Sequence, residues 1–215
     1  MSLGQTILSL LSGFANTLIL FAVTLVFALP LGFLICFGSR SKLKPVKYIF
    51  RGIVWIIRGT PLMLQIILVF YGPGLLFNWP PLAREIAVII AFVINYACYF
   101  SEIYRGGIES IPQGQYEAGQ VLGMTKAQVF FKVVLFQVIK RIIPPIGNEI
   151  ITLVKDTSLA RVIAVTELVK AAQDIVGLKA IIWPIFYVGA FYLVFCGLLT
   201  ILFRFIEKKL NYYRG

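Results

Sequence analysis

The sequence predicts an all-α membrane protein with five transmembrane helices per chain, N-terminus outside and C-terminus inside. Three observations carry that prediction. First, 60% of the 215 residues are hydrophobic and mean hydropathy is +0.91, well above the roughly half-apolar usage of soluble domains. Second, the apolar residues fall in continuous runs of span length, not in the short alternating segments of a membrane β-barrel. Third, Lys and Arg gather in alternate connections, which is how orientation is encoded in helical membrane proteins. At ~20 residues per span plus a connection, the chain has room for about five or six helices and no sizeable soluble domain.

Residues 14–37 form the first expected span, interrupted only by Asn16, Thr17, Thr24 and Pro30. The connection after it carries Arg40, Lys42, Lys44, Lys47 and Arg51 with no acid, and so lies in the cytoplasm. Residues 49–71 form the second span; Arg51 and Arg58 are near enough to its cytoplasmic end to snorkel, and Pro61 is expected to kink it. Tyr71-Gly72-Pro73-Gly74 ends it, and a loop of zero net charge with Trp79, Arg84 and Glu85 crosses the outer face. Residues 86–104 form the third span, with Asn95 and Glu102 inside it.

Residues 108–141 are amphipathic and are broken by Pro112, Gly114 and Gly123 into short helices with exposed charges. This is the only cytoplasmic segment long enough to bind a partner. Residues 142–165 form the fourth span and the least lipid-like one, since Asn148, Glu149, Lys155, Asp156 and Ser158 lie within it. Such a helix must line a protein interior or a watery path. A mixed-charge outer loop follows with Arg161, Glu167, Lys170, Asp174 and Lys179, then a fifth span over residues 183–206 and a basic tail with Lys208, Lys209 and Arg214. The whole chain, 1–215, reads as one transmembrane domain.

The composition also excludes several classes. The net charge of +11 would point to nucleic acid in a soluble protein, but here it is spent on loops beside spans. Cys36, Cys98 and Cys196 are isolated within apolar runs and read as small buried hydrophobes. The absence of histidine removes His-based proton relays, Ser-His triads and most metal sites. No nucleophile elbow, catalytic aspartate pair or metal set is recognisable, so neither catalytic residues nor metal ligands are expected. A cleavable signal peptide is not expected either, because residues 1–13 lack a basic leader and the first apolar run is long enough to span. No internal duplication is visible, so an inverted-repeat transporter would need two chains.

The stretch Tyr116-Glu117-Ala118-Gly119-Gln120-Val121-Leu122-Gly123-Met124, running on to Val133-Val134-Leu135-Phe136, resembles the EAA motif of bacterial ABC importer permeases. In that motif Glu-Ala-Ala, three residues, Gly, nine residues and an Ile-x-Leu-Pro-like ending form the coupling helices. Gly119 stands for the second Ala and Phe136 for the Pro, while the register is intact. Arg58-Gly59-Thr60-Pro61-Leu62, Ser101 to Gly107, Pro144 to Glu149 and Lys155-Asp156-Thr157-Ser158-Leu159 are similar to the polar amino acid branch of that family. The resemblance covers roughly residues 10–210. It implies a type I ABC importer permease fold in the bacterial inner membrane, a second permease copy, an ATPase dimer and an external solute-binding protein.

Residues Glu117, Ala118, Gly119, Gly123 and Met124 are then the ATPase-coupling candidates. A permease that moves substrate uphill needs a rigid projection through which a partner can push, and Gly123 permits the tight turn between two short helices. Glu117 would set the docking angle through charge-assisted hydrogen bonds. No Gly-x-x-x-x-Gly-Lys-Ser/Thr loop is present. No cofactor is therefore expected in this chain; ATP and Mg belong to the partner subunit.

Substrate-binding candidates are the polar residues at membrane depth: Glu102, Asn148, Glu149, Thr152, Asp156 and Ser158. Glu149 and Asp156 are two helical turns apart, on one face and about 10 Å apart along the axis. The alternative is structural pairing, of Glu102 with Arg105 and of Asp156 with Lys155 or Arg161. Pairing is the preferred reading for Glu102, whereas Glu149 has no basic residue three or four positions away and is the better binding candidate. The acids lean toward cationic amino acids. A second functional reading is an ion- or proton-coupled secondary transporter using Glu102, Glu149 and Asp156.

Overall fold

The computed structural model describes residues 3–210, all of whose regular elements are helices. Arg214, counted above in the basic tail, lies outside the described residues. Helix α1 (Leu3–Ser39) is 37 residues long, starts well before the expected span and carries Pro30 within it. It packs along α4 (Arg84–Glu109) and, at its start, against α8 (Leu168–Lys179). Gly32 lets α1 approach α4 closely: a Cβ there would lie 2.8 Å from the Ala97 carbonyl oxygen and 2.9 Å from Phe100 Cβ. Small residues at helix contacts are how membrane helices gain van der Waals packing without a hydrophobic drive.

The expected second span is not one kinked helix but two helices, α2 (Lys44–Gly59) and α3 (Leu62–Phe77), bent by 106° at Thr60-Pro61. Pro61 has no N–H to continue the ladder and forces Thr60 into an extended backbone, with φ −118° and ψ 144°. Each piece has 16 residues, ~24 Å, so neither alone crosses the ~30 Å hydrocarbon layer. By length and composition α1, α4 and α9 (Trp183–Leu210) can cross a membrane, and the bent pair makes a fourth candidate.

The fourth expected span is carried by α7 (Leu135–Asp156), with Pro144 and Pro145 inside it; of its charged residues, Glu149 and Asp156 line the cavity described below, while Lys155 is exposed. A 3-10 segment, Thr157–Ile163, follows directly and turns out at Ala164, whose φ is 60°. Glu167 caps α8 from a buried position, its carboxylate accepting from the Val169 and Lys170 amides at 2.7 and 2.8 Å.

Between α4 and α7 lie α5 (Gln113–Val121), the single-turn α6 (Lys126–Val129) and a π-helical turn, Phe130–Val134. Gly123 has φ 72°, a left-handed conformation suited to glycine, and reverses the chain between α5 and α6. Thr125 and Gln128 then form a capping box at the start of α6. A small apolar cluster of Ile111, Val129, Val134 and Val138 holds these short helices to the base of α7. The main core is centred on α4, whose Phe92, Tyr96 and Phe100 are fully buried among α1, α3 and α7.

Candidate functional site

A cavity of about 480 Å³ opens where the α2–α3 break meets α4 and α7. This lies within the size range of small-molecule sites. Glu149, Thr152 and Asp156 form its α7 wall, at i, i+3 and i+7 along one stripe. Tyr96 and Tyr99, one turn apart on α4, also line it, as do Arg58, Gly59, Thr60 and Pro61 of the break.

The break is held open by a polar knot. The Gln65 amide donates to the Ile57 carbonyl at 2.8 Å, the Thr60 hydroxyl at 2.9 Å and the Thr60 carbonyl at 3.2 Å. Its own carbonyl oxygen accepts from Asn95 Nδ2 at 3.0 Å. One buried side chain thus satisfies the backbone that Pro61 leaves without a helical partner and ties the break to α4. The Tyr96 hydroxyl donates to Asp156 Oδ2 at 2.7 Å and fixes that carboxylate on the cavity wall. The Arg58 guanidinium sits 5.0 Å over the Tyr99 ring.

Of the substrate-binding residues expected from sequence, Glu149, Thr152 and Asp156 come together here. Asn148 is exposed and does not line the cavity, its carbonyl accepting from the Thr152 hydroxyl at 3.0 Å. Ser158 lies past the helix end and donates to the Lys155 carbonyl at 2.8 Å. Glu102 stays off the cavity wall and accepts from Arg105 at 2.9 and 2.6 Å, with Arg58 Nη1 3.7 Å away. Sequence reasoning passed over Arg58, Gln65, Tyr96 and Tyr99 as site residues. A polar glutamine in the second expected span and two tyrosines at i, i+3 were the available signals.

The second functional element is the α5–α6 projection. Glu117, Ala118 and Gly123 are exposed on it, Met124 is half-buried, and Gly119 is buried against α6. Val121 and Leu122, 88% and 78% exposed, form an apolar tip that the sequence reading had not singled out for docking.

The chain belongs to the family described as binding-protein-dependent transport system inner membrane component, which matches residues 25–212. Its relatives include the L-cystine transport system permease protein TcyB of Bacillus subtilis (strain 168), 38% identical over 94% of this chain and 86% of that one. The glutamine transport system permease protein GlnP of Escherichia coli (strain K12) is 33% identical over 87% and 84% of the two chains. The arginine transport system permease protein ArtQ of Bacillus subtilis (strain 168) is 32% identical over 94% and 92%. Among solved structures, an amino acid ABC transporter with histidines matches at TM-score 0.89 and 30% identity, over 97% of each chain. The MetNI methionine ABC transporter, at 17% identity and TM-score 0.69, shares the fold. The chain is thus an inner membrane permease of the amino acid ABC importers, and a secondary transporter finds no support among these relatives.

Proposed function

We propose that the cavity bounded by α2, α3, α4 and α7 lies on the translocation pathway of this amino acid importer, and that Glu149 and Asp156 receive the ammonium or cationic side chain of the substrate. The observation that carries this reading is two carboxylates on one stripe of α7 facing a polar cavity at the helix break. Buried acids at membrane depth are costly unless a function or a partner holds them there. Relatives that carry arginine, glutamine or cystine fit polar amino acids as a class, and the acidic wall favours cationic members.

In this reading α5 and α6 face the cytoplasm, the chain crosses the membrane five times with its N-terminus outside, and Glu117, Ala118, Gly119, Gly123 and Met124 belong to the surface that docks on a separate ATPase. That ATPase binds ATP and Mg and works as a dimer, two copies of this permease form the pathway, and an external solute-binding protein delivers the amino acid. Closure of the ATPases moves the projection and turns the cavity outward. The exposed apolar tip at Val121 and Leu122 supports a docking role, since a projection that met only water would gain nothing from it. The test is substrate-stimulated ATP hydrolysis by the assembled complex carrying Glu149→Gln. A weaker apparent affinity for substrate is expected, and an unchanged one removes Glu149 from the site.

A further inference from the structure

Resting on the pathway reading above, we propose that Arg58 recognises the α-carboxylate of the amino acid in the cavity, and that Glu102 is a positioning residue that holds Arg58 while the cavity is empty. Every α-amino acid brings a carboxylate as well as an ammonium group. A cavity walled only by Glu149 and Asp156 would repel that carboxylate. Among the described residues lining it, Arg58 is the one cation, and it stands beside the Thr60-Pro61 break.

The geometry fits capture of a planar anion. The guanidinium carbon lies 5.0 Å from the Tyr99 ring centroid, a cation–π contact, and an Arg fork can give two parallel N–H bonds to one carboxylate. The side chain is 41% exposed, and among the described residues no hydrogen bond from it is present. Its contact with Glu102 is 3.7 Å, longer than a hydrogen bond. Glu102 has no need of it, because Arg105 already gives that carboxylate two short bonds at 2.9 and 2.6 Å. Glu102 is therefore a resting partner that Arg58 can leave for a second carboxylate, and Arg105 keeps Glu102 neutralised when it does.

This pair also begins a line of alternating charge. Arg105 goes on to Glu109 at 2.5 Å, and Glu109 lies 3.9 Å from Arg40. Arg40 is part of a cleft shared with Tyr116 and Gln120 of α5 and Lys126 of α6. The carboxylate end of the cavity and the foot of the coupling projection are thus joined by one run of ion pairs.

The experiment uses the permease–ATPase complex in nanodiscs without binding protein, so that only this site selects. Retention of labelled L-arginine and L-glutamine is measured in competition with each amino acid and with its α-carboxamide, which lacks the charge. The intact complex is expected to prefer the acid form by about tenfold or more, the order expected of one charge-assisted pair. Arg58→Gln should weaken binding and abolish that preference, with Arg58→Lys keeping part of it. Glu102→Gln should bind at least as tightly with the preference kept, whereas a merely structural Glu102 would lose affinity, and that loss would overturn its assigned role. If Glu149→Gln weakens binding while Arg58→Gln still prefers the acid, the carboxylate is held elsewhere and the assignment fails with the pathway reading intact. If neither variant changes retention, or the intact complex retains neither amino acid, both fall.

Discussion

Gly119 and Val129 pack so closely that a Cβ on Gly119 would sit 2.5 Å from Val129 Cγ2. The position where the motif of this family has its second Ala is thus closed to a methyl group by the side chain that fastens α6 under α5. Gly119→Ala is expected to destabilise the projection by about 1–3 kcal/mol through overpacking. Thermal unfolding of the purified permease measures this, and Gly119→Ala with Val129→Ala should be more stable than the sum of the two single changes predicts.

Gln65 should be among the most sensitive polar positions of the chain. Gln65→Leu leaves the buried Asn95 amide without its partner, whereas the Ile57 carbonyl keeps the Thr60 hydroxyl at 3.3 Å and that hydroxyl keeps the Ile56 carbonyl at 2.9 Å. A loss of about 1–3 kcal/mol is expected for that amide. A cysteine pair placed across the break, one in α2 and one in α3, should crosslink differently in that variant if the knot sets the 106° bend.

The Tyr96 hydroxyl is the hydrogen-bond donor to the Asp156 side chain. Tyr96→Phe is expected to lower stability by about 1–3 kcal/mol, and adding Asp156→Asn should recover part of that loss because the uncompensated charge is gone. The double-mutant cycle by thermal unfolding checks it.

Val121→Ser and Leu122→Ser should leave the permease fold untouched, because both side chains stand in solvent in the free chain. Stability is expected to change by less than about 0.5 kcal/mol. Co-purification with the ATPase and coupled ATP hydrolysis should both fall; unimpaired assembly would move the docking surface elsewhere.

Much of the candidate site was legible because it is local. Glu149, Thr152 and Asp156 share a stripe by helical periodicity alone. Asn148 falls off that stripe since neighbouring residues on a helix point about 100° apart. Ser158 lies off the cavity for a different reason: the α-helix gives way to a 3-10 segment at Thr157, and the tighter winding ends the phase that the stripe depends on. At Pro61 the sequence announced a disturbance, but a kink and a 106° break begin from the same missing N–H.

The sequence by itself determined the membrane class, the helical fold, the family and the motif register, because hydropathy, the arrangement of charge and fixed spacings are written along the chain. Tertiary structure alone decided that Arg58, which reads as a snorkelling cation, faces Tyr99 and Glu102 on α4 and shares a cavity with Glu149 and Asp156 on α7. It likewise decided that Gln65 reaches from α3 to Asn95 on α4. These partners lie between 30 and 98 positions apart in the chain. Their meeting depends on how far α2 turns from α3 and how closely helices approach one another, and local periodicity carries no information about either.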